Sequence, residues 1–308
     1  MSKAIKTVDL EKNQVMVNRD ILEDDSINSI DVNQTDGTFL VVQPLSDSGT
    51  LNGQVVIYPQ SPVPEIYEPV ILRRFNRFGN LTYPLDAKFS YIRRRIWIAD
   101  TGNHRILRVN IDTEEATLGI EDSLFYPHAL AVNLNNGGIF AKGYTSLSRN
   151  QGVVCYFRLD GLEVARFVYD LMDVDSSSSS SFSGSMSSSS SSGQREYPQL
   201  PSANSIAYDH VRSRAWWVED SKVYMFDERN YQVQAYDLSD DGYYFTYSLD
   251  IELDTGNAFI VVGNNHDDRF LLQMFRDNNN LLAASYIVSV PYNPPGSSSS
   301  SSDSSDSS

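Results

Sequence analysis

The sequence is poor in the residues that build disulfides and metal sites. Of its 308 residues, one is cysteine (Cys155) and four are histidine. A single cysteine excludes an internal disulfide framework, and so few cysteine and histidine side chains argue against a structural zinc site. Cys155 lies within the apolar run 153–157. We therefore expect it to be a buried apolar residue.

Positive charge and long apolar runs are also scarce. The chain carries 24 Lys and Arg against 40 Asp and Glu, a net charge of -16. Because nucleic-acid binding needs a basic surface, this charge excludes nucleic acid as a general partner. No apolar run approaches the roughly 18 residues of a membrane span. No stretch of about 10 residues or more has the periodicity of an amphipathic helix, so the sequence predicts an all-β protein.

The first residues lack an export signal. Lys3, Lys6 and Asp9 interrupt the segment where a secretory signal would have an apolar core of about 7–15 residues. We expect a protein that reaches the extracellular space or a virion surface by another route, such as lysis. A cytoplasmic location is the alternative.

Two serine-rich tracts divide the chain. Residues 176–193 contain 14 serines, and the segment 294–308 contains ten serines and two aspartates. Such segments have almost nothing apolar to bury and cannot offset the entropy of ordering, so they are typical of a flexible linker and tail. The alternative is O-glycosylation of the dense hydroxyls. The candidate acceptors are Ser176, Ser181, Ser187, Ser192, Ser297 and Ser302.

The rest of the chain repeats. Five segments share an alternating strand, a strongly apolar strand, a hairpin loop and two further strands, at intervals of 43 to 76 residues. The longest interval contains the first serine tract. Units of this size with four short strands are typical of propeller blades. The sequence predicts one β-propeller of five or six four-stranded blades over residues 1–293, interrupted at 176–193 and followed by the tail 294–308.

The blade number depends on the N-terminus. Residues 4–8 and 14–18 are predicted as two more strands, which either complete a sixth blade or close the ring. A strand from a neighbouring copy is the further alternative for an open edge.

One segment resembles a known family. Residues 96–109, with the proline-led strand entries at 83–85 and 126–132, are similar to the NHL repeat, whose members fold as β-propellers, commonly six-bladed. The other blades lack its Asp…Asn…Arg pattern. We expect a structural hairpin in which Asp100 accepts turn amides and contacts Arg105, Asn103 caps the loop next to His104, and Gly102 has a positive φ.

Arginines concentrate around the predicted second blade. We expect one basic face, either solvated or serving as an anion dock for an acidic glycan or an acidic patch of another copy. Its members are Arg73, Arg74, Arg77, Arg93, Arg94 and Arg95.

Catalytic and metal sites have little support in the sequence. The four histidines (His104, His128, His210 and His266) occupy different blades at non-equivalent positions. Calcium is the one cofactor considered, at the acidic turns 237–242 and 264–268, but neither has the spacing of a calcium loop. Carboxylates near the first strands indicate a carboxylate-lined channel: Asp31, Asp86, Asp209 and Asp250.

The leading functional hypothesis is a non-enzymatic binding or structural protein, a self-associating subunit of a surface fibre or virion that contacts itself or glycans. Resemblance to the NHL-like lyases and lactonase-type hydrolases implies the alternative, a metal-dependent enzyme acting at the central channel. A cytoplasmic scaffold that binds a protein partner across one propeller face is the third hypothesis.

Overall fold

The structure, a computed structural model, describes residues 4–9, 14–20, 27–33, 35–44, 52–59, 69–90, 94–145, 151–170, 205–264, 269–277 and 280–290. Both serine-rich tracts and their six candidate acceptors lie outside these residues. The described strands form five four-stranded antiparallel sheets arranged as a β-propeller. The predicted all-β propeller is therefore confirmed.

The first half of the chain contributes an N-terminal hairpin and two blades. The hairpin consists of β1 (Ala4–Asp9) and β2 (Gln14–Asp20). Blade 1 contains β3 (Ser29–Val32), β4 (Phe39–Gln43), β5 (Gln54–Tyr58) and β6 (Val70–Leu72). A short hairpin follows, made of β7 (Arg74–Phe75) and β8 (Gly79–Asn80). Blade 2 contains β9 (Pro84–Ser90), β10 (Arg95–Asp100), β11 (Arg105–Asn110) and β12 (Glu115–Glu121).

The second half contributes three blades. Blade 3 contains β13 (Phe125–Val132), β14 (Ile139–Thr145), β15 (Gln151–Phe157) and β16 (Glu163–Asp170). Blade 4 contains β17 (Ile206–Asp209), β18 (Arg214–Glu219), β19 (Lys222–Asp227) and β20 (Gln232–Asp237). Blade 5 contains β21 (Phe245–Ile251), β22 (Ala258–Gly263), β23 (Arg269–Asp277) and β24 (Asn280–Val290).

The second strand of each blade is apolar because it packs on both sides. In β4 and β10, for example, every residue except the half-buried Arg95 is buried. Trp97, Trp216 and Trp217 are at most 1% exposed. Their side chains belong to hydrophobic clusters that fill the spaces between consecutive blades from blade 1 to blade 5. Each such buried side chain contributes about 1.5–3 kcal/mol, so blade packing supplies the stability that disulfides supply in smaller folds.

The N-terminal strands do not extend the set of four-stranded blades. The structure pairs β1 with β2 in a sheet of their own. The described blades therefore number five, the smaller of the two numbers that the sequence predicts.

In each blade the first strand begins and the fourth strand ends at the same end of the propeller. Four antiparallel strands bring the chain back to the end where the blade began; in blade 2, Pro84, Asp100, Arg105 and Glu121 stand in register at that end. We call this end the connecting face and the other end the opposite face. Asp170 before the first serine tract, Ser205 after it and Val290 before the second all lie at the connecting face.

Candidate functional site

The central channel is the first candidate site, and Asp86 is its most enclosed carboxylate. Asp86 lies on β9, the innermost strand of blade 2, and is 0% exposed. Its oxygens accept hydrogen bonds from the amide of Leu130 (2.8 Å), from the amide of Ala87 (2.9 Å) and from the hydroxyl of Ser29. One carboxylate thus joins the innermost strands of blades 1, 2 and 3.

Lys88 supplies the positive charge of the channel. Residues 86 and 88 lie on the same side of β9, and Lys88 Nζ is 3.5 Å from Asp86 Oδ1. Burial lowers the pKa of Lys88, but attraction to Asp86, Asp31 and Asp250 outweighs burial and leaves this pKa raised. Lys88 therefore remains an ammonium ion and is a poor nucleophile.

The other predicted channel carboxylates fall into two groups. Asp31 accepts a hydrogen bond from the amide of Phe89 (2.7 Å). Burial raises the pKa of Asp31 and of Asp86, and the Lys88 ammonium offsets only part of this rise. Asp250 is exposed and lies close enough to raise the pKa of Lys88. Asp209 does not join them, because its carboxylate accepts the amides of Val211 and Arg212 (3.0 Å each) in the turn after β17.

A second polar cluster lies between blades 3 and 4 near the connecting face. Lys142 is 0% exposed, and its Nζ lies 2.5 Å from Glu219 Oε2 and donates to the carbonyl of Val218 (2.5 Å). Tyr144 and Tyr169 donate to Glu219 at 3.4 and 3.2 Å. A lysine paired and hydrogen-bonded in this way joins the two blades.

His128 packs beside this cluster. It is 0% exposed, lies at a bulge in β13 and stacks on Tyr144 with ring centroids 5.0 Å apart. Among the described residues neither ring nitrogen has a hydrogen-bond partner. Burial, and then the Lys142 ammonium, holds the pKa of His128 well below its usual range. His128 is therefore a neutral packing residue.

Sequence reasoning missed Lys88, Lys142 and Glu219 as site residues. A signal for Lys88 was available, since alternation places it on the same side of β9 as Asp86. The signal for Lys142 was weaker: it is a cation that directly follows three apolar, buried residues in β14. Its partner Glu219 is distant in sequence and comes close through the packing of blades 3 and 4.

The hairpin 100–105 holds blade 2 to the short hairpin β7–β8. Asp100 accepts hydrogen bonds from Arg105 Nε (2.6 Å), from Asn103 Nδ2 (2.8 Å) and from the amide of Thr82 (2.7 Å). Arg105 also donates to the carbonyls of Phe78 and Asn80 at 2.6 and 3.1 Å. These contacts are structural.

Two details of this hairpin differ from the expectation. The left-handed residue is His104, with φ of 54°, and Gly102 does not have a positive φ. Glycine is needed at 102 for space, because a Cβ there would lie 2.6 Å from the carbonyl oxygen of Thr82. The amide that Asp100 binds is that of Thr82, from the preceding segment, and not an amide of the turn.

The predicted arginines do not share one face. Arg94 and Arg95 lie at the start of β10, where Arg94 pairs with Asp112 (2.9 Å) at the opposite face. Arg73 donates to Gln54, and Arg74 and Arg77 are exposed beside β7, at the connecting face. The length of β10, about 3.3 Å per residue, separates the two groups. Arg93 lies outside the described residues.

The remaining predictions concern metal and cysteine chemistry. Asp237 accepts the amide (3.0 Å) and hydroxyl (2.6 Å) of Ser239, which lower its pKa, so this acidic turn is held by its own serine. Of the turn 264–268, residues 265–268, including His266, lie outside the described part of the chain. Burial raises the pKa of Cys155 to about 12. Within the described ranges, no three His, Cys, Asp or Glu side chains are grouped to hold a metal ion, and no helix could span a membrane.

Comparisons with known proteins support the fold and identify no family. No protein-family model matches the chain, and no curated protein matches it in sequence. A crystal structure of a nidogen/laminin complex superposes with a TM-score of 0.56 at 12% identity, over 92% of this chain and 90% of that one. A hydrazine synthase from Kuenenia stuttgartiensis superposes with a TM-score of 0.58 at 13% identity, over 87% of this chain and 70% of that one. Both similar structures are propeller proteins, and this likeness shows the fold alone.

Proposed function

We propose that this chain is a non-enzymatic propeller that self-associates as the repeating subunit of a surface fibre, outside the cell or on a virion. The observation that carries the proposal is the position of the serine tracts. Asp170, Ser205 and Val290, which flank them, all lie at the connecting face. Both low-complexity segments therefore leave the propeller from this face, and in this proposal the opposite face contacts the next subunit.

Two features of the blades support the proposal, one bearing on the ancestry of the propeller and one on its rigidity. Blade 2 has the Asp100–Asn103–Arg105 network of an NHL-like hairpin, which supports an NHL-like ancestry for the propeller. Hydrogen bonds also tie neighbouring turns at the opposite face: Asn135 donates to the carbonyl of His210 (2.6 Å), and Arg212 to that of Leu253 (2.9 Å). A surface linked from blade to blade keeps its shape when a neighbour binds.

The serine tracts serve as exposed spacers in this proposal. Their hydroxyls are candidate acceptors for O-glycosylation, which keeps a segment solvated and extended.

A metal-dependent enzyme at the central channel is the second candidate, since Asp31, Asp86 and Asp250 all lie close enough to Lys88 to raise its pKa. Lys88 weighs against it, because its ammonium already sits 3.5 Å from the most enclosed carboxylate. Metal analysis of the purified protein separates the two. Stoichiometric metal that is lost in Asp31→Ala or Asp86→Ala would favour the enzyme.

Light scattering over a range of protein concentrations tests the proposal. We expect the mean mass to rise with concentration as a fibre subunit associates, and intact mass spectrometry of native material to show mass added by sugars. A constant monomer mass would contradict self-association. A monomer that captures a different protein would favour the cytoplasmic scaffold.

A further inference from the structure

A polar cavity of about 420 Å³ lies on blade 4 at the opposite face. Its lining combines two arginines, one aspartate, three side-chain amides and one methionine: Arg214, Arg229, Asp227, Asn230, Gln232, Gln234 and Met225. It is separate from the central channel and from the Lys142–Glu219 cluster. We name it the blade 4 pocket.

The charge of the blade 4 pocket is opposite to that of the chain. Asp227 is buried and pairs with Arg214 (3.4 Å) and Arg229 (3.2 Å), which leaves one net positive charge in a protein of net charge -16. The Arg214 side chain is 12% exposed, but that of Arg229 is 60% exposed. Arg229 is therefore the cation that a ligand meets first.

The lining suits a carboxylate flanked by hydroxyls. Arginine binds carboxylates through paired N–H groups, and Arg229 uses Nε and Nη2 on Asp227, so its Nη1 has no partner that the structure describes. Side-chain amides of Asn230, Gln232 and Gln234 can donate to and accept from hydroxyls and peptide groups. A segment containing aspartate and serine presents this set of groups.

We propose that the blade 4 pocket binds the acidic tail of a second copy of this chain, through Asp303 and Asp306. The tail sequence 301–308 reads SSDSSDSS, with carboxylates spaced by serine pairs. It follows Val290 at the connecting face, whereas the pocket lies at the opposite face. Stacking the connecting face of one copy on the opposite face of the next brings the two together, a head-to-tail contact that repeats along a fibre.

The reach of the tail is compatible with this contact. Asp303 lies 13 residue steps beyond Val290, a distance of at most roughly 45 Å when the chain is fully extended. The tail of a stacked neighbour needs only part of that length. Docking into the pocket of its own chain requires the tail to run back from the connecting face to the opposite face, which uses more of its length and has a larger entropic cost.

A complementation experiment tests this inference, which rests on the proposed self-association. One variant, Arg229→Glu, has a defective pocket and an intact tail; the other, Asp303→Asn with Asp306→Asn, has the reverse. By sedimentation velocity we expect each variant alone to associate at least 10-fold more weakly than the wild type. We expect an equimolar mixture to form dimers that contain one chain of each. Arg158→Glu is the matched control, because Arg158 is also an exposed arginine paired with an aspartate (3.4 Å to Asp160).

A synthetic peptide of residues 294–308 gives a second readout. We expect it to bind the Asp303→Asn/Asp306→Asn chain and not its Arg229→Glu derivative, with affinity falling as salt rises because exposed charges are screened. Wild-type association that persists unchanged in Arg229→Glu would overturn the pocket assignment and leave the proposed function standing. Peptide binding by the Asp303→Asn/Asp306→Asn chain but not by a wild type that stays monomeric would point to an intramolecular tail and contradict both. Binding of free glucuronate without binding of the peptide would overturn the tail as the occupant.

Discussion

Lys88 is the residue on which the chemistry of the channel depends. Its ammonium is the positive charge that the structure places beside Asp86, which burial alone would leave with an uncompensated negative charge. Breaking a buried ion pair from one side costs about 3–5 kcal/mol. We expect Lys88→Met to lower the free energy of unfolding by this amount at pH 8.

The pH dependence of that loss identifies its cause. In Lys88→Met the raised pKa values of Asp31 and Asp86 favour protonation in the folded state, so stability returns as the pH falls through them. Urea unfolding should therefore show a smaller loss at pH 5 than at pH 8. Lys222→Met, at the half-buried start of β19, is the control. Equal losses at both pH values would contradict a carboxylate origin.

His128 should cause a second pH effect, a loss of folding stability in acid. Because the pKa of His128 is depressed in the folded state, its contribution to stability is complete above the unfolded value of about 6.5 and falls as the pH drops below it. Compared with His128→Phe, the wild type should lose about 1 kcal/mol between pH 6.5 and 5.5. Thermal unfolding at several pH values measures this, with His210→Phe as the control. Parallel pH profiles of wild type and His128→Phe would rule out the effect.

The hairpin 100–105 is the element whose geometry is most sharply defined. Gly102→Ala would place a Cβ 2.6 Å from the carbonyl oxygen of Thr82 and 2.7 Å from its methyl group. We expect a loss of about 1–3 kcal/mol in urea unfolding, because backbone in a packed hairpin cannot move away freely. Thr113→Ala, at an exposed turn of the same blade, should change stability by less than about 0.5 kcal/mol. An unchanged midpoint for Gly102→Ala would show that the hairpin is looser than described.

Strands were predictable from the sequence, and side-chain partners that are distant in the sequence were not. The apolar second strands, such as β10 and β18, stand out because both of their faces are buried. The contact of Asp100 with Arg105 was also predictable, since the two residues flank one short hairpin. The left-handed residue was placed wrongly at Gly102 because only glycine adopts that conformation without strain, yet the structure uses His104.

At the scale of the whole molecule, proximity in sequence did not predict which charged residues share a surface. The described arginines of the predicted basic face are close in sequence but are divided between the two ends of β10: Arg73, Arg74 and Arg77 at one end, Arg94 and Arg95 at the other. The blade 4 pocket instead joins Arg214 and Arg229 by strand pairing, through Asp227. The position at one face of Asp170, Ser205 and Val290, which flank the serine tracts, was implicit in the prediction of four strands per blade, because an even number of antiparallel strands returns the chain to its starting end.

The proposal with the widest consequences is that the propeller self-associates. Electron microscopy of the purified full-length chain, at concentrations where light scattering reports association, tests it most directly. We predict linear stacks in which the connecting face of each propeller meets the opposite face of the next. Isolated single propellers at every concentration would contradict the claim.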